Sequence, residues 1–136
     1  MKFMVCYDET DVSKDAVREA QKHAKAWQAG IDVVSTVMRV EPIKRSRLEE
    51  MEEQFESEVQ DLFEGVDIPY NVQLQIDDID VGAKIVKLAE KKKVDLIFIG
   101  IKKRSKVGKL LFGSNAQYII LNAPCPVVSV NRSSSR

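Results

Sequence analysis

The sequence predicts an α/β domain: one doubly wound, five-stranded parallel sheet with helices on both faces. Two observations carry this. Short apolar runs alternate with stretches of helical periodicity along the chain, and that alternation is what a parallel sheet sandwiched between helix layers requires. Several of the runs are dense in Val and Ile with little polar interruption, as strands buried on both faces are.

Lys2–Tyr7 is the first strand and ends at Asp8. The polar stretch Asp8–Asp11 is a turn, and Asp11 or Ser13 is placed to cap the helix that follows. Ala16, Val17, Ala20, Ala24 and Trp27 recur at helical spacing and form its inner face, with Gly30 as its end signal. Ile31–Val40 is the second strand, closed by Pro42. The second helix sets Leu48, Met51, Phe55, Val59 and Phe63 inside and a glutamate-rich face in solvent, and Gly65 ends it. Tyr70–Ile76 alternates apolar with polar residues, as a strand near a sheet edge does. The third helix carries Ile85, Val86, Leu88 and Ala89 and ends in three lysines, where cations suit the helix dipole. Asp95–Ile99 is a buried strand that stops at Gly100, Ser114–Asn122 is the fourth helix and Pro126–Val130 the last strand. Residues 1–131 read as one domain and 132–136 as a disordered tail.

At 136 residues the chain is long enough to bury a core. Lys plus Arg balances Asp plus Glu at 21 each, which argues against nucleic acid as a partner because phosphate binding needs a positive excess. No apolar run approaches the ~20 residues that cross a bilayer, so no membrane partner is expected. Cys6 and Cys125 sit far apart in apolar runs, read as small buried hydrophobes. With no leader pattern at the start, they point to the reducing cytoplasm.

In such sheets ligands bind at the carboxyl ends of the strands, where strand order reverses. That rule directs attention to four loops, Asp8–Ser13, Met38–Pro42, Asp77–Gly82 and Gly100–Ser114, and the last carries the strongest signal. It leaves a buried strand at a glycine and enters a helix at Gly113, whose missing side chain gives a ligand access to free amide groups at the helix N-terminus. Ser114 and Asn115 add polar side chains at the cap. Lys102, Lys103, Arg104, Lys106 and Lys109 surround it with positive charge. Glycine, helix N-terminus and cations together suit an anion, most simply a polyphosphate, although a glycine turn beside a solvated basic loop has the same composition. Neither a Walker loop nor the Gly-x-Gly-x-x-Gly of dinucleotide folds is present.

The run from Gly100 to Ser114 resembles the phosphate motif of the universal stress protein family: a glycine, two residues, a second glycine, nine residues, then Gly-Ser or Gly-Thr. Phe3–Asp8 is similar to that family's first strand and its aspartate, Val94–Gly100 to its fourth strand, and Ala123–Val130 to its closing strand. The resemblance implies a Rossmann-like sheet and a site for ATP or another adenine nucleotide, with or without Mg2+. It implies that Asp8 and Thr10 approach base and ribose and that a residue at the end of the second strand (Met38, Arg39 or Val40) contacts the base. Gly100, Gly113 and Ser114 would then hold ribose and phosphates, with Lys103 and Asn115 beside them. It also implies a homodimer formed through Pro126–Val130. Three positions depart from the pattern: Lys103 replaces the second glycine, Glu9 stands where glycine is common, and Arg39 where an apolar residue is common.

The remaining candidates are weaker. His23, the single histidine, reads as a helix-flank residue, and the acidic turn Asp77–Asp80 as a solvated cap rather than a Mg2+ site. Phe55, Phe63 and Trp27 read as core. No set of metal ligands and nucleophile-positioning groups for phosphoryl transfer stands out, so the chain reads as a nucleotide-binding stress-response module and not an enzyme. The alternatives are a nucleotide-independent dimeric signalling protein and a slow ATPase.

Overall fold

The computed structural model describes residues 1–102 and 113–131. Nine elements follow one another as β1 (Lys2–Cys6), α1 (Asp11–Trp27), β2 (Gly30–Met38), α2 (Arg45–Leu62), β3 (Tyr70–Asp77), α3 (Val81–Lys92), β4 (Leu96–Ile101), α4 (Ser114–Asn122) and β5 (Val127–Asn131). All strand pairs are parallel, in the order β3-β2-β1-β4-β5. The chain winds from β1 outward to β3, then returns to the other side of β1 for β4 and β5. Strand order therefore reverses between β1 and β4.

Alternation along each strand separates two cores. Phe3, Val5, Val33 and Phe98 face one way and pack with Ala16 and Ala20 of α1 and Phe55 and Val59 of α2. Met4, Val34, Ile97 and Ile99 face the other way, onto Ile85 and Ala89 of α3 and Ile119 of α4. Phe3 and Phe98 are fully buried with ring centroids 5.4 Å apart, and each such side chain contributes about 2 kcal/mol by leaving water.

Several expectations shift locally. Thr10, not Asp11 or Ser13, is the N-cap of α1: its Oγ1 accepts the Ser13 amide at 3.2 Å, while Ser13 itself is buried. Gln28 in the left-handed region (φ 55°) closes the helix in place of Gly30, which opens β2. Trp27, expected in the core, is 62% exposed, because the helix stripe facing the sheet ends at Ala24. β2 stops at Met38, two residues short of Val40, and β4 runs through Gly100 to Ile101. α3 begins at Val81, directly after the acidic turn, and Asp80 occupies its N-cap without a side-chain cap bond.

At the amino end of the sheet a polar cluster joins three elements. Asp32 is buried, accepts from Asn71 Nδ2 at 3.2 Å and lies 3.4 Å from Lys92 Nζ. Asn71 is its cross-strand partner, and Lys92 also donates to Gln73 at 2.5 Å. The polar residues that alternate along β3 are thus in part a bonded seam rather than a wet face. The bonds fix β3 in register, because a one-residue slip would separate Asp32 from Asn71.

Candidate functional site

The reversal between β1 and β4 opens a crevice at the carboxyl ends of the strands, a cavity of about 660 Å³. That lies within the usual range for small-molecule sites. Asp8 and Thr10 from the β1–α1 turn, Gly100 and Lys102 from the end of β4, and Gly113, Ser114 and Asn115 from the start of α4 all border it. Apolar side chains from the other elements, among them Val34 of β2, Ile85 of α3 and Ile119 of α4, complete the wall.

The β1–α1 turn is held by its own side chains. Asp8 Oδ1 accepts from the Thr10 amide at 3.2 Å and from the Thr10 hydroxyl at 2.5 Å, an Asx turn. Its backbone N–H donates to Ser13 Oγ at 3.3 Å. Glu9, between them, has φ 68°, a left-handed conformation that suits glycine. Glu9 holds this geometry under strain.

Gly100 is required by packing. A Cβ there would stand 2.6 Å from the carbonyl of Val12 and 2.9 Å from the amide of Ser13, so β4 and the start of α1 touch backbone to backbone. Gly113 is different: an added Cβ meets no described atom within 4 Å, and its φ of −59° suits any residue. It is the N-cap of α4 and makes no side-chain cap bond, leaving first-turn amides beside the cavity with the positive end of the helix dipole behind them. Asn115 does not cap its own helix. Its Oδ1 accepts from the Gly82 amide at 2.9 Å and ties the first turns of α3 and α4 together. The two helices approach closely at Gly82, where a Cβ would lie 3.0 Å from the Asn115 carbonyl.

Val40 does not line this cavity. It is 83% exposed and borders a separate shallow groove with Arg39, Pro42 and Arg47. The β2 residue at the crevice beyond Val34 is Thr36, which the sequence reading passed over. Val34 O accepts from Tyr7 N at 2.9 Å on the β1 side, and two-residue alternation turns the Thr36 backbone to that same side, past the end of β1. Only the strand order could have revealed this, since Thr36 is one of several β-branched residues in the run from Ile31 to Val40. Lys103 lies outside the described residues, as do Arg104, Lys106, Lys109 and the tail 132–136.

Burial is the main force on the thiol of Cys6 at the cavity wall, pushing its pKa up to about 12, with the Asp8 charge adding to it. Burial likewise raises Tyr7, whose hydroxyl donates to Glu58 Oε2 at 3.1 Å on the α2 side. Cys6 is therefore a neutral thiol near neutral pH. The acidic turn is engaged in ion pairs: Asp77 with Lys84 at 2.9 Å and Asp78 with Arg39 at 3.2 Å. Among the described residues no cluster of three or more His, Cys, Asp or Glu is arranged for a metal ion. No described helix is long and apolar enough to cross a membrane.

A parallel sheet with a cavity at its switch point and a helix N-terminus beside that cavity is the architecture in which doubly wound domains bind ligands. Comparison with known proteins makes this specific. Residues 1–131 match the profile of the Universal stress protein family, and the chain belongs to that family. It is 29% identical over 140 residues to a universal stress protein of Methanocaldococcus jannaschii, covering 96% of this chain and 82% of the relative. A universal stress protein structure from Archaeoglobus fulgidus superposes with a TM-score of 0.81 at 27% identity, covering 96% of this chain and 98% of that one. A universal stress protein from the same organism, solved in complex with dAMP, superposes with a TM-score of 0.75 at 21% identity, covering 96% and 97%.

Proposed function

We propose that this chain is a regulatory module of the stress response that binds an adenine nucleotide in the switch-point crevice. The observation that carries the reading is the mixed lining of the cavity. α4's first-turn amides, Gly113, Ser114 and Lys102 suit phosphate. Val34, Ile85 and Ile119 suit a flat heterocycle. Asp8 and Thr10 supply polar groups for a ribose. The dAMP complex of the Archaeoglobus protein supports the ligand class. The resemblance in sequence extends the reading to ATP and to a phosphate contact from Lys103. Mg2+, when present, would be carried by the phosphates.

The site is one for binding and signalling rather than turnover, in a cytoplasmic protein. Among the described residues β5 is an edge strand, paired with β4 alone, and a second copy pairing along it would cover that edge and give the expected homodimer. To test the ligand, protein purified without added nucleotide is denatured and the released small molecules are identified by mass spectrometry, followed by calorimetric titration with AMP and ATP. Recovery of an adenine nucleotide near one per chain, or saturable binding of either, is expected. No release and no binding at millimolar concentration would overturn the reading.

A further inference from the structure

α4 is a short helix with little to anchor it: of its nine residues, Ile119 alone is buried. Its neighbour α3 buries Gly82, Ile85, Val86, Leu88 and Ala89. Neither helix caps its own N-terminus with a side chain. Asp80 and Gly113 stand at the two N-caps, and neither makes such a bond. The bond that is made crosses from one helix to the other. Asn115 Oδ1 accepts the Gly82 N–H at 2.9 Å, and that N–H is one of α3's first-turn amides, which have no partner within their own helix. Asn115 therefore caps α3, while its own backbone amide belongs to the first turn of α4 beside the crevice.

We infer that Asn115 is a positioning residue for phosphate: through Gly82 it fixes the first turn of α4 to α3, and so sets where α4's amides meet the phosphate of a bound nucleotide. This rests on the nucleotide reading above and deepens it. Hydrogen bonds from a helix N-terminus to an anion depend on direction as well as distance, so the turn that carries the donors has to be held. α3, with five buried residues against one, is the body that holds it. The two helices also touch at Gly82, where an added Cβ would lie 3.0 Å from the Asn115 carbonyl oxygen and 3.2 Å from Tyr118 Cβ. Gly82 itself does not border the crevice, so a change there reaches the phosphate only by moving α4.

The experiment titrates AMP and adenosine into wild type, Asn115→Ala and Gly82→Ala, followed by NMR to millimolar ligand, with thermal melting of each free protein. Asn115→Ala removes the bond; Gly82→Ala keeps the bonding groups and pushes the Asn115 backbone away. Each variant is expected to bind AMP about fivefold more weakly, the effect of one ordinary hydrogen bond, while adenosine affinity stays within about twofold of wild type. A loss confined to the ligand with a phosphate is what general loosening of the fold would not produce. Unchanged AMP affinity in Gly82→Ala would overturn the inference, because Asn115 would then act on the ligand directly or not at all. Equal losses for AMP and adenosine would also overturn it, as would wild type that binds AMP no tighter than adenosine; both leave the nucleotide site standing. Wild type that binds neither ligand would remove the nucleotide reading, and the role of Asn115 with it.

Discussion

Gly100 and Gly113 stand at the two ends of one connection, and each lacks a side chain for a different reason. At Gly100 the strand and the first turn of α1 are in backbone contact, and the missing Cβ is what lets them meet. At Gly113 no described atom lies within 4 Å of an added Cβ, and on the proposed reading the missing side chain keeps the approach to α4's amides open. On the proposed reading one glycine serves the fold and the other the ligand, although both fall in the same sequence motif. Stability and binding should therefore separate cleanly between them.

The largest effect is expected at Gly100. Gly100→Ala forces a methyl group into the Val12 carbonyl and should cost about 3 kcal/mol of stability, read as a lower urea midpoint. A variant as stable as wild type would show that β4 and α1 can move apart. Gly113→Val should do the reverse: stability within about 0.5 kcal/mol of wild type, but AMP affinity reduced more than tenfold. Loss of folding together with binding would erase the distinction.

Glu9→Gly sharpens the same comparison from the neighbouring turn. Relief of the left-handed strain should stabilise the protein by about 0.5–1 kcal/mol, measured by chemical denaturation. A destabilised variant would show that the Glu9 side chain contributes more than its backbone costs.

The smallest effect is expected at Asp77, which the hydrogen bond from Lys84 holds below its ordinary pKa. A carboxylate depressed in the folded state stabilises above its unfolded pKa, and that contribution fades as pH falls through the folded value. Asp77→Asn should therefore be less stable than wild type at pH 7, with the gap closing toward pH 3. A gap that persists at low pH would assign the effect to packing.

The alternation of elements, the parallel sheet and its glycine-marked connection were legible in the sequence, because burial on both strand faces leaves uninterrupted Val and Ile runs. What could not be read depended on which strands become neighbours. Thr36 is one β-branched residue among several until β1 is seen to end beside it. Val40 seemed suitable because Pro42 set the apparent end of β2, whereas the ladder with β3 stops at Met38. Trp27 fitted the helical stripe but lies beyond the point where α1 still faces the sheet. Asn115 suggested a cap for its own helix, and its true partner, Gly82, is 33 residues away.

The central claim is that the ligand occupies the crevice between β1 and β4 and not another surface. The most direct test is an amide-resolved NMR titration of the 15N-labelled protein with AMP. Saturable shifts should concentrate at Thr10, Thr36, Gly100 and Ser114, with Asp32 and Trp27 at the far end of the sheet unmoved. Shifts centred on the Arg39–Arg47 groove, with the crevice amides unchanged, would contradict it.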